Sequence, residues 1–180
     1  VGADFEITRR MITVTPDALT KTYGDADPVF SYSVNDGGLV GDDELVGVLE
    51  RVQGEDVGSY VISAGSLTNA VNPNYDIAFV GADFVIDRRP VTVSAVSKSK
   101  MYSSIDPSLT YTVSDGGLVG SDELVGVLER VQGEDVGTYS IGQGTVDDAN
   151  NSNYSITYVP DYLEITPRPI TVTVDDLTIT

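Results

Sequence analysis

Short stretches of alternating apolar and polar residues run along the chain, and this alternation is typical of half-buried β-strands. The stretches are rich in Val, Ile, Tyr and Phe, which favour strands. Clusters of glycine, proline, asparagine and aspartate separate them and indicate turns. Because the last two stretches of the first half are separated by only a few residues, we expect them to form a β-hairpin. The predicted strands are 11–15, 30–34, 58–67, 75–79 and 83–86.

One apolar segment fits two patterns. The i, i+3, i+4, i+7 spacing of an amphipathic helix is present at Leu45, Val48, Leu49 and Val52. Strand alternation is also present, with Val46, Val48 and Val52 on one face. Valine and glycine are weak helix formers, so we favour the strand. The prediction is therefore an all-β fold of small β-sandwich-like modules; a helix here would instead give an α+β, β-grasp-like module.

The whole pattern recurs with a period of 79 residues and without any insertion or deletion. Residues 80–89 repeat 1–10 with two differences, and residues 115–137 repeat 36–58 with one difference, Ser121 in place of Asp42. This period is longer than that of solenoid repeats, which is about 20–50 residues. Each repeat is therefore predicted to be a small domain with its own core.

The period divides the chain into the tail of a preceding repeat (1–10), a first repeat (11–89), a second repeat (90–168) and the head of a following repeat (169–180). Pro90 suits the start of a strand at a module boundary, because proline is stiff and lacks a backbone donor. The join between the two repeats has almost no length. We therefore expect neighbouring modules to form a fairly rigid rod, with the adjacent repeats as their main partners.

Composition narrows the range of functions. The chain has 28 acidic and 10 basic residues, and its net charge of −18 repels phosphate backbones and anionic membrane surfaces. We therefore expect neither a nucleic-acid partner nor direct insertion into a membrane. The absence of His and Cys excludes His- or Cys-dependent catalytic arrangements and Cys/His metal sites. We predict no enzyme activity, no catalytic residues and no cofactor.

Calcium is the one metal that the sequence leaves open. Asp43 and Glu44 offer oxygen ligands of the kind that Ca²⁺ accepts, and both recur in the second repeat as Asp122 and Glu123. No segment matches the EF-hand loop. We favour solvated acidic loops, with a calcium site at these four residues as the alternative.

An Asp-x-Gly-x-Tyr motif occurs once in each repeat, from Asp56 to Tyr60 and from Asp135 to Tyr139. It resembles the tyrosine corner of Greek-key sandwiches, in which the phenol bonds back to nearby backbone. We predict a structural role for these four residues; stacking of the tyrosines on a sugar is the alternative.

The triplet Lys98-Ser99-Lys100 is similar in composition to a Ser–Lys catalytic site, but the first repeat has no equivalent triplet. An exposed, charged strand edge explains it more simply, because edge lysines prevent unwanted strand pairing.

Several motifs occur in a characteristic order. They include the run 21–30 (Lys-Thr-Tyr-Gly-Asp-Ala-Asp-Pro-Val-Phe), the Gly-rich turn 38–41, the segments 47–51 and 54–60, and Asn74-Tyr75. Together they resemble the MBG repeat (mostly β, glycine-rich) of the Tyr-Gly type. The second repeat has Tyr102-Ser103 in place of Tyr23-Gly24.

This resemblance covers both complete repeats and implies a large extracellular bacterial protein, often an adhesin or filamentous exoprotein, without enzyme activity. We expect structural extender repeats of a cell-surface adhesin that project a distal binding domain. The alternative is an adhesion module that itself binds a carbohydrate or a host protein.

Overall fold

The computed structural model describes residues 2–174, and these residues contain strands but no helix. The chain divides into two compact units, Val1–Arg89 and Pro90–Thr180. The all-β prediction with two tandem repeats is confirmed, and the α+β alternative is wrong. The predicted tail 1–10 and head 169–180 extend beyond the described residues, and within them 2–9 and 169–174 form no strand.

In its described residues, the first unit has seven strands in two sheets. They are β1 (Arg10–Pro16), β2 (Leu19–Thr22), β3 (Tyr32–Asn35), β4 (Glu50–Arg51), β5 (Gly58–Ser63), β6 (Tyr75–Phe79) and β7 (Ala82–Asp87). The three-stranded sheet has the order β3-β1-β6, with β3 antiparallel and β6 parallel to β1. The four-stranded sheet has the order β2-β7-β5-β4, in which only β2 and β7 are parallel.

The two sheets of the first unit enclose one hydrophobic core. Ile12 and Val14 of β1 alternate with threonines and point inward from the three-stranded sheet. Phe84 and Ile86 of β7 point inward from the four-stranded sheet, and all four side chains are at most 1% exposed. The remaining buried members of this core are Leu45, Leu49, Ile62, Leu67 and Tyr75.

The second unit repeats this arrangement. Its strands are β8 (Arg89–Ala95), β9 (Lys98–Met101), β10 (Tyr111–Ser114), β11 (Glu129–Arg130), β12 (Gly137–Gly142), β13 (Tyr154–Val159) and β14 (Asp161–Thr166). They form sheets of order β10-β8-β13 and β11-β12-β14-β9. Val91 and Val93 of β8, and Leu163 and Ile165 of β14, are buried at the positions that match those in the first unit.

The predicted hairpin is wrong. Strands β6 and β7 follow each other closely, but β6 pairs with β1 and β7 pairs with β2 and β5 in the other sheet. The N–H of Val80 still bonds to the carbonyl of Val14 at 3.0 Å, so pairing with β1 continues to the end of β6. Val80 and Gly81 therefore carry the chain from one sheet to the other.

The segment from Leu45 to Val52 is neither a helix nor the strand that we favoured, except for the short β4. Val46, Val48 and Val52 are exposed, and only the leucines enter the core. Gly47, at φ 120°, runs against the backbone of Leu67, where a Cβ would come within 2.6 Å of the Leu67 Cα. Regular strand pairing is therefore interrupted at Gly47.

Candidate functional sites: an ion-pair cluster, a tyrosine contact and an acidic loop

Four charged side chains meet over the four-stranded sheet of the first unit, and we call them the ion-pair cluster: Lys21, Asp27, Arg51 and Glu55. Lys21 Nζ lies 2.7 Å from Asp27 Oδ1 and 2.5 Å from Glu55 Oε2. Arg51 Nε lies 2.6 Å from Asp27 Oδ2, and Arg51 Nη2 lies 2.5 Å from Glu55 Oε1. Each cation thus contacts both carboxylates.

The two cations of the cluster come from the two edge strands of the sheet. Lys21 of β2 pairs with Ile86, and Arg51 of β4 pairs with Ile62, so both cationic residues have core residues as direct neighbours. Each cationic side chain is only 4% exposed, whereas the carboxylates remain accessible to solvent. The cluster therefore covers one margin of the core, with its aliphatic stems packed inward and its charges compensated.

Arg51 is held by more than its two carboxylate partners. Its guanidinium carbon lies 5.3 Å from the ring centre of Tyr60 and 5.0 Å from that of Phe84, within the range of cation–π attraction. Arg51 Nη1 also donates to the carbonyls of Val52 (3.0 Å) and Gly54 (2.6 Å). The guanidinium thereby fixes the loop after β4 to the sheet.

The cluster changes the acidity of its members. The hydrogen bond from Arg51, supported by Lys21, lowers the pKa of Asp27 to about 2 despite the opposing effect of burial. Hydrogen bonds from Lys21 and Arg51 also lower the pKa of Glu55. Burial lowers the pKa of Lys21, but its bonds to the two carboxylates outweigh this effect and raise it overall. All three groups therefore stay ionised over a wide range of pH.

The second unit contains the same cluster, formed by Lys100, Asp106, Arg130 and Glu134. Lys100 Nζ lies 2.5 Å from Asp106 Oδ1 and 2.6 Å from Glu134 Oε2, and Arg130 again contacts both carboxylates. Arg130 lies 5.5 Å from the ring centre of Tyr139. The pKa of Asp106 is lowered to about 2 by its bonds from Arg130 and Lys100.

This cluster corrects the interpretation of Lys98-Ser99-Lys100. Lys100 is not an exposed edge lysine: its side chain is 4% exposed and points to the carboxylates of the cluster. Ser99 is exposed and Lys98 is half-buried. Lys100 was misassigned because β9, although an edge strand, directs this residue toward the core.

The tyrosine motifs place their phenols against nearby backbone. Tyr60 Oη donates to the carbonyl of Asp56 at 2.7 Å, and Tyr139 Oη donates to that of Asp135 at 2.8 Å. A Cβ at Gly54 would collide with the Tyr60 ring, so glycine is required there. Each tyrosine thus links the start of β5 or β12 to the preceding loop.

The acidic loop residues also have partners inside their own units. Asp43 Oδ2 accepts a bond from Tyr75 Oη at 2.5 Å, and this bond raises the pKa of Tyr75. Asp122 accepts the equivalent bond from Tyr154 at 2.6 Å. Tyr75 Oη in turn accepts from the N–H of Val40 at 3.0 Å, which closes the loop onto β6.

Glu44 and Glu123, the other two calcium candidates, are exposed. Within residues 2–174, no group of three or more Asp or Glu side chains is arranged to hold a metal ion. Calcium binding at the four candidate residues stays a prediction.

Sequence reasoning missed Asn72 and its counterpart Asn151, which are both buried. Asn72 Oδ1 accepts from the N–H of Val46 at 2.8 Å, and its Nδ2 donates to the carbonyls of Val46 (2.9 Å) and Thr68 (3.0 Å). Asn151 makes the equivalent bonds to Val125. The signal available in the sequence is that this asparagine is retained while most of its neighbours differ between the repeats.

Comparison with known proteins agrees with this architecture. A family model described as MBG domain (YGX type) matches residues 12–85 and again residues 91–164. No curated protein and no solved structure matches the chain. In the described part of the chain, no helix is long and apolar enough to cross a membrane.

Domains of this family usually occur in extracellular proteins. The two matched segments cover well over half of the chain and confirm the resemblance seen in the sequence. The chain therefore belongs to the MBG domain (YGX type) family, of which it carries two tandem copies.

Proposed function

We propose that these two copies are extender repeats of a large bacterial cell-surface adhesin, and that they hold a distal binding domain away from the cell. The observation that carries this proposal is the repetition of one self-contained unit with an unbroken period of 79 residues. Tandem modules of this kind suit length and spacing. Family membership supports the extracellular setting.

The short connection between the copies supports a stiff extender. Strand β7 ends at Asp87 and β8 begins at Arg89, so a single residue, Arg88, separates them. A join of this length leaves few backbone torsions free, unlike a flexible Gly/Ser linker. The array is therefore proposed to lengthen in proportion to the number of its copies.

The charged residues of each unit support the same function. Lys21, Arg51 and their two carboxylate partners bond to each other across the sheet. Such a closed network stabilises a fold and offers no free nucleophile or base. We therefore assign this cluster a structural role, and we propose no catalytic role and no cofactor for the repeats.

A series of chains with two, four and six copies of the repeat tests the proposal by small-angle X-ray scattering. Strands of about 5–10 residues rise about 3.3 Å per residue, so each copy contributes several tens of Å at most. We expect the maximum dimension to increase by the same amount for each added pair. The matched control carries a flexible Gly-Ser linker at Arg88 and at the equivalent join of every further copy. In this control the maximum dimension should increase less for each added pair.

An increase that followed the square root of copy number, with no effect of the inserted linker, would describe freely jointed beads and contradict the stiff extender. Measurement of the same series with Ca²⁺ and with a chelator tests whether calcium stiffens the array. A longer dimension only with Ca²⁺ would support a metal role for the acidic loops.

The alternative function, adhesion through a glycan bound by exposed tyrosines, has less support. Tyr102 and Tyr162 are exposed in the second unit. The position equivalent to Tyr162 is Asp83 in the first unit, so the two copies do not share this surface. Binding of the two-copy chain on a glycan array would favour the alternative.

A further inference from the structure

An exposed row of valines follows one edge of each unit, and we call it the valine edge: Val46, Val48 and Val52 in the first unit, and Val125, Val127 and Val131 in the second. All six side chains are 56–64% exposed in the chain. In the first unit, Leu45 just before the row and Leu49 within it are buried in the core. The valines therefore form one apolar face of an extended segment at the margin of the sheet.

Within residues 2–174, the backbone of this segment bonds to Asn72, Ser66 and Val61, on its inner side. Val46 bonds to the Asn72 side chain, the N–H of Val48 donates to Ser66 Oγ at 3.0 Å, and the N–H of Val52 donates to the carbonyl of Val61 at 3.0 Å. Strand β4 lies at the end of the order β2-β7-β5-β4, so no strand in residues 2–174 pairs with its outer side. Because donors and acceptors alternate along a strand, β4 directs part of its N–H and C=O groups outward. The segment before β4 is not a regular strand, since Gly47 at φ 120° interrupts it.

The two copies retain the valine edge although they differ elsewhere. Residues 36–58 and 115–137 differ at one of 23 positions, whereas the adjoining residues 59–79 and 138–158 differ at 13 of 21. Outside the edge, the exposed Val61 corresponds to Ser140 and Val71 to Asn150, whereas Val80 is retained as Val159. Packing does not require a valine at an exposed position, so the retention of these valines within the retained block agrees with a surface that is used.

The charges around the edge define its partner. Glu50 lies in the exposed row between Val48 and Val52, and the acidic run 42–44 precedes the row. Glu55 carries a negative charge at the other end, although Lys21 and Arg51 bond to it. An apolar strip framed by carboxylates matches an extended segment in which β-branched residues alternate with lysine or arginine.

A second copy of this chain is a poor match for the same edge. Two valine edges in contact would bring Glu50 and the acidic runs of both chains together, and like charges opposite each other destabilise strand pairs. Acidic residues on an exposed edge thus oppose self-pairing while they leave the edge open to a basic strand.

We propose that the valine edge of each MBG unit binds an extended, basic, valine- or isoleucine-rich segment of another protein by β-strand addition. Main-chain bonds supply affinity in this mode, and alternating side chains supply selectivity. The array then acts as a multivalent surface, because each repeat carries one edge. This inference is independent of the extender function, since a stiff spacer needs no ligand.

Fluorescence anisotropy with the two-copy chain and a labelled peptide of alternating lysine and valine tests the proposal. We expect saturable binding that weakens with added salt. Replacement of all six edge valines by threonine keeps the β-branched shape and should weaken binding about tenfold or more. In the matched control, threonine replaces Val80 and Val159, which are exposed valines outside the edge. This variant should bind the peptide as tightly as the unchanged chain does.

Two further comparisons separate strand addition from simple charge attraction. A peptide of the same charge with a central proline lacks a backbone donor and should bind about tenfold more weakly. Reversal of charge with Glu50→Lys and Glu129→Lys should weaken binding of the lysine–valine peptide. The same variant should bind a peptide of alternating glutamate and valine more tightly than the unchanged chain does. The proposal would be overturned if the proline peptide bound as tightly as the lysine–valine peptide. It would also be overturned if the six-threonine chain bound as tightly as the unchanged chain while its circular dichroism spectrum stayed the same. Concentration-dependent self-association of the chain in analytical ultracentrifugation would overturn it as well.

Discussion

The side chain of Asn72 makes the hydrogen bonds to Val46 that a neighbouring strand would otherwise make. Its amide presents an acceptor and a donor to Val46, as a peptide group of a paired strand does, and a second bond reaches Thr68. A buried amide with these bonds holds the irregular segment before β4 against the sheet without any ladder. Asn151 performs the same role in the second unit.

We therefore expect Asn72→Ala to lower the free energy of unfolding of the first unit by about 2–3 kcal/mol, because Val46 loses both bonds and a cavity remains. Asn74→Ala is the matched control. Asn74 is exposed, and its main-chain carbonyl, which the substitution keeps, accepts from the N–H of Arg10. The free energy of unfolding should therefore change by no more than about 0.5 kcal/mol. Urea unfolding measures both; an equal loss in the two variants would contradict this role of Asn72.

At the level of strands, sequence patterns predicted the elements whose buried residues are apolar. Strands β1, β5, β6 and β7 lie within four residues of their predicted bounds, and β6 matches them fully. In β1 the buried Ile12 and Val14 alternate with threonines, whereas in β7 the half-buried Val85 separates Phe84 from Ile86. Strand β2 was missed because its buried residue is Lys21, so the stretch from Leu19 to Thr22 has no apolar alternation.

Other features depended on contacts between distant residues. The hairpin prediction failed because turn spacing does not show whether two consecutive strands pair or enter different sheets. The ion-pair cluster brings together Lys21, Asp27 and Arg51. Lys21 and Asp27 lie in the motif 21–30 and Arg51 lies in the segment 47–51, but nothing in these motifs shows that the side chains meet. Only their recurrence with the period of 79 residues could have marked them as a set.

The ion-pair cluster predicts how stability depends on pH. Because Arg51 and Lys21 hold the folded-state pKa of Asp27 at about 2, below its unfolded value near 3.9, the cluster stabilises the fold above about pH 4. This stabilisation should be lost as pH falls from about 4 to about 2. Asp106 in the second unit should behave in the same way, since its pKa is also lowered to about 2.

Replacement of both residues, Asp27→Asn with Asp106→Asn, should therefore flatten the dependence of unfolding free energy on pH in this window. At neutral pH each substitution should cost about 1–3 kcal/mol, because a bond to a charged group is lost. The matched control, Asp83→Asn with Glu164→Gln, removes two exposed charges from β7 and β14. Thermal unfolding of both variants between pH 2 and about pH 7 measures this dependence. If stability fell with pH in the same way in both, the loss could not be assigned to Asp27 and Asp106.

For the whole molecule, the central question is whether the two units unfold independently of each other. Each unit has its own two sheets, its own core and its own ion-pair cluster. Phe84 of the first unit and Leu163 of the second occupy the same position in these cores, and both are fully buried. A matched pair of core truncations can therefore be made without any change at the surface.

Phe84→Ala should destabilise the first unit by about 3–5 kcal/mol and leave the second unit folded, because the cavity lies in one core only. Leu163→Ala should have the converse effect, with a cost of about 2–5 kcal/mol. Two-dimensional NMR during urea unfolding resolves the two transitions, since signals from each unit can be followed separately. An array built of independent units would keep most of its length when one unit opens, as an extender under load requires. Simultaneous loss of signals from both units in either variant would instead show one cooperative block, and the description of the repeats as self-contained domains would be wrong.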